Sequence, residues 1–130
     1  MQYFKVHRSA AAQTPPYRYD FLNTMWINFM HVEWTPAVTT GNRQIIISLY
    51  DCAGVLLYDL HPRVTQTLAD GNIHYECYPG TNETSKASSH VNVNLPPTLV
   101  GVGCYVIITD ENAVDLTNDT VEFSLQGYFT

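Results

Sequence analysis

Basic residues are scarce in this chain. Of its 130 residues, six are Lys or Arg and twelve are Asp or Glu, which gives a formal net charge of -6. The six cations are scattered along the sequence, whereas nucleic-acid binding usually needs a basic face that neutralises several phosphates. We therefore expect no binding to DNA or RNA.

Long apolar runs are also missing. No stretch approaches the roughly 18 apolar residues of a membrane-spanning helix, so we expect no membrane partner. Near the N-terminus, Lys5, His7 and Arg8 interrupt the apolar residues, which argues against a signal peptide. Together these features predict a protein that is made in a reducing cytoplasm.

Cysteine is rare and irregularly spaced. The chain has three, Cys52, Cys77 and Cys104, and no two are separated by the two residues typical of zinc ribbons and redox dithiols. The odd count also argues against a disulfide framework. Because each cysteine lies in or beside a predicted strand, we expect all three to be small buried side chains.

Signatures of catalysis are missing too. There is no Gly-x-Ser-x-Gly elbow, no Gly-rich phosphate loop and no carboxylate pair that stands out from the twelve. The five histidines lie in five separate elements, and His31, His74 and His90 occupy strand positions expected to face outward. We therefore predict no catalytic residue, no resident metal and no cofactor, and do not expect an enzyme.

The apolar residues that are present alternate in the manner of strands, and no segment keeps a helical period over three turns. Turn residues separate the strands every 8–12 residues or so, as in sandwiches and barrels. The predicted fold is an all-β, eight-stranded antiparallel jelly-roll-like β-sandwich. Its strands are expected at residues 25–34, 43–50, 55–60, 64–68, 72–78, 91–95, 104–110 and 119–129. Of these, residues 64–68 are a candidate edge strand or, alternatively, a crossover.

Residues 91–110 show most clearly how two sheets would be connected. Residues 91–95 alternate between apolar and polar, and residues 104–110 form a nearly continuous β-branched run, typical of a strand covered on both faces. Pro96 and Pro97 cannot donate hydrogen bonds to a sheet, so we expect them to end the first strand. The chain should then cross to the second sheet.

Residues 1–19 differ from the rest and predict an extended N-terminal arm, followed by the sandwich domain at residues 20–130. Between residues 9 and 16 the segment is made of Ser, Ala, Gln, Thr and Pro, which offer little to a core. Such an arm would dock on a neighbouring subunit, and the alternative is a frayed terminus. Its candidate interface residues are Tyr3, Phe4, Tyr17 and Tyr19, because aromatic side chains suit such contacts.

An acidic loop follows residue 110 and offers a weak candidate for a Ca²⁺ site. Asp110, Asp115 and Asp119 could supply oxygen ligands, but their order does not match an EF-hand. The competing interpretation is that these side chains cap the backbone of turns between two strands.

Aromatic residues are plentiful, with nine Tyr, five Phe and two Trp making up 12% of the chain. In a small sandwich most of these rings belong to the core or to a subunit interface. A sugar-binding platform is the alternative. However, Trp26 and Trp34 are eight residues apart on one strand, about 26 Å at the strand rise, so they cannot form one platform.

The order of the turn and strand signatures resembles that of the small jelly-roll decoration, or cement, proteins on the capsids of tailed bacteriophages. The resemblance covers about residues 34–123. It rests on Thr35-Pro36, Gly41-Asn42-Arg43, the D-x-x-G-V-L-L segment at 51–57, residues 64–67, Pro79-Gly80, Leu95-Pro96-Pro97, residues 106–110 and Asp119-Thr120-Val121.

The resemblance implies a structural virion protein on the outer capsid surface that is assembled in the host cytoplasm. Its partners would be the major capsid protein, whose neighbouring copies it would bridge, and itself, as a homodimer or homotrimer. The alternatives are a carbohydrate-binding β-sandwich module and another accessory protein of the phage head or tail.

Overall fold

The computed structural model describes residues 3–8, 12–81 and 89–129, and for residues 3–8 the backbone alone. Ten strands are present in these ranges: β1 (Tyr3–Arg8), β2 (Tyr17–Asp20), β3 (Met25–Thr35), β4 (Ile45–Tyr50), β5 (Leu56–Leu60), β6 (Ile73–Tyr78), β7 (His90–Asn94), β8 (Thr98–Val100), β9 (Tyr105–Asp110) and β10 (Thr120–Phe129). Within them, no helix is long and apolar enough to cross a membrane.

The strands form two sheets that enclose the core. Sheet A has the order β1-β10-β3-β6-β7, with β8 pairing with the start of β3, and sheet B has the order β2-β9-β4-β5. The chain passes between the sheets at six of the nine connections between strands, and the connections β4–β5, β6–β7 and β7–β8 stay within one sheet. The orders β1-β10-β3-β6 and β2-β9-β4-β5 are those of an eight-stranded jelly roll, which confirms the predicted fold class.

Two strands are additions to that eight-stranded arrangement. β7 extends sheet A and pairs in parallel with β6, and β8 pairs antiparallel with β3. Both come from the stretch at residues 91–110. The crossing to sheet B follows Gly101 and Gly103, where Gly103 has a φ of 92°, and not the prolines as expected. The prolines separate two strands of the same sheet.

Residues 64–68 do not form the edge strand considered for them and lie instead in the crossover from β5 to β6, which was the alternative. Gln66 forms an isolated bridge with Arg43, and the chain then turns through a short 3-10 helix, Leu68–Asp70. The side chain of Asp70 accepts hydrogen bonds from the backbone N–H and the hydroxyl of Thr67, at 2.7 and 3.0 Å. This capping box satisfies the backbone locally and ends the strand-like pattern.

The N-terminal segment contributes one strand to each sheet. β1 pairs antiparallel with β10, and β2 pairs antiparallel with β9. Tyr19 is only 8% exposed, and its ring packs at 5.1 Å from that of Phe21 and at 5.7 Å from that of Phe123. The boundary predicted at residue 19 therefore falls within a strand of the sandwich, and Gln13, between the two strands, forms an isolated bridge with Val121.

A buried ion pair closes one end of the sandwich. Arg43 and Asp119 are both fully buried and form a bidentate pair, with Nε to Oδ2 at 2.7 Å and Nη2 to Oδ1 at 3.0 Å. Asp119 also accepts hydrogen bonds from the indole of Trp34 at 3.0 Å and the backbone N–H of Ala37 at 2.7 Å. Such geometry is what a buried charge requires to offset its lost hydration.

The carboxylate of Asp119 stays ionised in this surrounding. Burial acts to raise its pKa, but hydrogen bonds from Arg43, Ala37 and Trp34 outweigh that effect, so the pKa lies below its ordinary value of 3.8. Its contribution to stability is therefore present above pH 3.8 and is lost as the pH falls through the lowered pKa.

The buried side chain of Gln66 adds further hydrogen bonds around this ion pair. Gln66 donates to the backbone carbonyls of Trp34 at 2.9 Å and Gly71 at 2.8 Å, and accepts from the hydroxyl of Tyr75 at 2.8 Å. Its backbone exchanges two hydrogen bonds with that of Arg43, at 2.8 and 2.9 Å. Buried polar groups that are satisfied in this way hold neighbouring segments in one arrangement.

We expect replacement of Asp119 by Ala to lower the free energy of unfolding by about 3–5 kcal/mol, because the buried guanidinium of Arg43 loses its counterion. Urea denaturation at pH 7 measures this. The matched control is Asp20→Ala, since Asp20 forms an ion pair with Arg18 at 2.9 Å that is more than half exposed; its loss should cost less than about 1 kcal/mol. Equal effects in the two variants would contradict the expectation.

Truncation tests the role of the N-terminal strands. Deleting residues 1–11 removes β1, an edge strand, and should leave a folded protein of lower stability. Deleting residues 1–19 also removes most of β2 and uncovers Phe123, so we expect no cooperative thermal transition in circular dichroism. A truncated chain starting at residue 20 that melts as sharply as the intact protein would show that the segment is dispensable.

Candidate functional site: the outer face of sheet A

The outer face of sheet A carries two adjoining clusters of side chains. Along β3, β6 and β10 every second residue is buried, so the alternate residues share the opposite, solvent-facing side. We call one cluster the aromatic patch; it consists of Trp26, Phe29, Tyr78, Leu99 and Tyr128. We call the other the histidine ladder; it consists of His31, His74 and His90 together with Glu33 and Glu76.

The aromatic patch spans several neighbouring strands. Trp26 on β3 is paired in register with Leu99 on β8 and with Tyr128 on β10. These three side chains are 42%, 49% and 38% exposed. Phe29 and Tyr78 stack beside them, with ring centroids 6.5 Å apart. An apolar surface of this kind, uncovered by the described part of the chain, is typical of a binding face.

A glycine allows the strands beneath the patch to come together. The register between β10 and β3 shifts between Gln126 and Gly127, which leaves Asn28 as an extra residue on β3. A Cβ atom at Gly127 would overlap the backbone carbonyl oxygen of Trp26 and the Cε of Met25. The bulge and the glycine together set the position from which Trp26 points outward.

The histidine ladder crosses three strands. The rings of His31 on β3, His74 on β6 and His90 on β7 are stacked, with successive centroids 5.1 and 4.9 Å apart. His31 Nε2 lies 2.8 Å from His74 Nδ1. Both pairings are cross-strand contacts, the first between antiparallel strands and the second between parallel ones.

Two glutamates of the ladder are in contact with ring nitrogens of its histidines. His74 Nε2 lies 3.3 Å from Glu33 Oε2, and His90 Nδ1 lies 2.6 Å from Glu76 Oε1. Burial of His31 lowers its pKa below the ordinary 6.5, and the nearby His74 acts in the same direction. His31 is therefore a neutral imidazole at neutral pH, on a face that can bind protons.

The predicted Ca²⁺ ligands are held apart in separate hydrogen-bonding roles. Asp110 accepts from the backbone N–H groups of Gln44, Asn112 and Val114 at 2.8, 3.0 and 2.9 Å. Both oxygens of Asp119 are occupied in the buried ion pair described above. These contacts match the alternative given for the acidic loop, turn capping.

Asp115 has a third role, at the surface. It accepts from the hydroxyl of Thr39 at 2.6 Å and from the backbone of Asn118 at 3.1 Å. The bond from Thr39 is the main cause that lowers the pKa of Asp115. In the described ranges, no group of three His, Cys, Asp or Glu side chains is arranged to hold a metal ion.

The aromatic residues singled out in the sequence are divided between core and surface. Trp34 is fully buried, so Trp26 is the exposed tryptophan. Tyr17 is half-buried, with its ring 5.7 Å from that of Phe123, and Tyr19 is in the core. The side chains of Tyr3 and Phe4 lie outside the described residues. Among these candidates, Tyr19 has little surface left for a partner.

The cysteines are also divided between the core and the surface. Cys77 and Cys104 are buried as expected, and burial raises the pKa of Cys77 to about 12, which makes it unreactive as a nucleophile. Cys52 is exposed in the turn between β4 and β5, so the expectation that it is buried is wrong. The position of this turn, between the predicted strands at residues 43–50 and 55–60, was predicted, but the exposure of the side chain was not.

A shallow groove of about 400 Å³ is present at the edge of the sandwich. It lies between two connections, and its lining consists of Thr40, Gly41, Asn42, Thr67, Leu68 and Ala69. None of these residues titrates near neutral pH. The outer face of sheet A, where titratable and aromatic side chains come together, is therefore the stronger candidate.

Comparison with known proteins gives no relative. No family model, no curated protein and no solved structure matches this chain.

The glycine beneath the aromatic patch gives a testable prediction. We expect Gly127→Ala to lower the free energy of unfolding by about 1–3 kcal/mol and to change the fluorescence of Trp26, because the added methyl group displaces the backbone of β3. Gly101→Ala is the control, since a Cβ atom there meets nothing within 4 Å. Indistinguishable denaturation curves for the two variants would contradict the close approach of β3 and β10.

Proposed function

We propose that the protein is a structural virion protein that decorates the assembled phage capsid and stabilises it by bridging neighbouring major capsid proteins. The aromatic patch on the outer face of sheet A is the observation that carries the proposal. The resemblance of the sequence to capsid decoration proteins supplies the class of partner.

The patch has the composition of an interface centre. Tyr, Trp and Phe are enriched at the cores of protein interfaces, and Trp and Tyr are frequent among the residues that carry most of the binding energy. Trp26, Leu99 and Tyr128 form a row across three hydrogen-bonded strands. A sheet holds such side chains on a rigid surface, so little conformational entropy is lost in ordering them when a partner binds.

Stabilisation of a shell needs no catalysis. A protein that binds the assembled state and not the separate subunits stabilises assembly by mass action. Each copy can bind modestly, because many copies act on one particle and their effects combine. A jelly roll with an apolar face that binds the assembled capsid meets this requirement.

A second exposed apolar segment supports self-association. β5 is the edge strand of sheet B, and Val55, Leu56 and Leu57 at its start are 58%, 46% and 49% exposed. An edge strand with exposed apolar residues at its start is open to pairing with another chain. We propose it as the contact of a homo-oligomer, which leaves the outer face of sheet A free for the capsid.

Carbohydrate binding is the second candidate function. The exposed rings of Trp26 and Tyr128 are neighbours across β3 and β10, and the faces of such rings can pack against the C–H groups of a sugar. Saturable binding on a glycan array, lost on replacement of Trp26, would favour this candidate over the structural one.

Co-sedimentation with expanded capsids tests the first proposal. We expect Trp26→Ala to weaken binding about 30-fold, as removal of a residue that contributes about 2 kcal/mol would. Val38→Ser is the matched control, because Val38 is 89% exposed in a loop outside the patch; it should bind as the unchanged protein does. Undiminished binding by the Trp26 variant would contradict the role of the patch.

A further inference from the structure

We propose that the histidine ladder is a proton-controlled lock between β3 and β6, closed while His31 is neutral and opened when His31 is protonated. The lock would make the stability of sheet A fall in mildly acidic solution. The inference concerns the protein alone and does not depend on the partner proposed above.

The first step is the hydrogen bond between the two rings. His31 Nε2 and His74 Nδ1 are 2.8 Å apart, so one of the two nitrogens carries the proton and the other accepts it. If His31 Nε2 accepts, His74 donates through Nδ1. When both nitrogens are protonated neither can accept, and the bond between β3 and β6 is lost.

The second step is the contact between His74 and Glu33. His74 Nε2 is 3.3 Å from a carboxylate oxygen of Glu33. A protonated His74 can thus donate to Glu33 through Nε2 and to His31 through Nδ1 at the same time. His31 accepts in this arrangement, so the ladder is complete when both ring nitrogens of His74 carry a proton and His31 Nε2 carries none.

The third step identifies the charged and titratable side chains near His31 on each neighbouring strand. On its own strand β3 lies Glu33, and on β6 lie His74 and Glu76, of which Glu76 is the register partner of His31. Further out, β7 contributes His90, and β10 contributes Glu122 opposite Glu33 and the uncharged Ser124 opposite His31.

Arg8 of β1 pairs with Ser124 through the backbone, and its side chain lies outside the described residues. Burial is the largest influence that lowers the pKa of His31, and the positive charge of His74 adds to it. Glu76 and Glu33 oppose these influences without overcoming them, and His90 acts in the lowering direction.

The direction of the pH effect follows. Unfolded His31 binds its proton near pH 6.5, whereas in the folded protein its pKa is lower. Below pH 6.5 the unfolded state therefore binds more protons than the folded state. This contribution to stability is fully present above pH 6.5 and declines as the pH falls below that value.

The experiment compares thermal unfolding between pH 7.5 and pH 5 in the unchanged protein and in His31→Gln. The glutamine oxygen can accept from His74 but cannot be protonated. We expect the melting temperature of the unchanged protein to fall by several degrees over this range, and that of the variant to fall clearly less. His61→Gln is the control, because His61 is exposed beside Asp59 and Glu111, in a separate cluster; it should keep the full decline.

Parallel declines in the unchanged protein and His31→Gln would overturn the proposal. Nitrogen NMR of the imidazoles provides a second test that needs no variant. At pH 7.5 we expect an unprotonated His31 Nε2 and a protonated His74 Nδ1, and a His31 that titrates below pH 6.5. A His31 that is already a cation at pH 7 would overturn the lock.

Discussion

The ion pair between Arg43 and Asp119 is the constraint on which the rest of the fold depends. It joins the connection before β4 to the residue that precedes β10, and Asp119 also binds the indole of Trp34 near the end of β3. Because both charges are fully buried, any arrangement that separated them would leave an uncompensated charge in the core. The pair thereby selects one way of closing the two sheets.

That closure sets the register of the outer face. Thr120, next to Asp119, is paired with Thr35, and the strands β10 and β3 then run antiparallel from this point. Since side chains alternate along each strand, a shift by one residue would move His31 and Trp26 into the core. The bulge at Gly127 adds one residue to β3, which keeps Trp26 on the outer side beyond it. The outer face of sheet A is thus a consequence of a buried contact at the far end of the same strands.

Sequence pattern predicted the parts of the fold that have local signals. Alternation identified β3, β4, β6, β9 and β10 to within a few residues, and these define the sandwich. β1 and β2 were not predicted as strands of the sandwich, because both lie in the segment interpreted as an arm and pair with strands in the last third of the chain. The burial of Arg43 has no local signal at all, since it depends on a carboxylate 76 residues away.

The histidine ladder shows the same limit at the candidate site. The outward positions of His31, His74 and His90 follow from alternation and were predicted. Their convergence depends on the parallel pairing of β6 with β7, a long-range contact that spacing along the chain does not indicate. Exposed aromatic residues were expected too, but separating Trp26 from the buried Trp34 required the bulge on β3.

The two clusters share β3 and β6, yet their supports differ. The aromatic half of the face is held by β8 and β10 on either side of β3, with Gly127 fixing the approach of the backbones. The histidine half includes β7, an edge strand that pairs with β6 alone in the described sheet. Cross-strand side-chain contacts contribute most to holding a strand whose backbone is hydrogen-bonded to a neighbour on one side only. The face therefore combines an apolar half of fixed geometry with a half whose cross-strand bonds depend on protons.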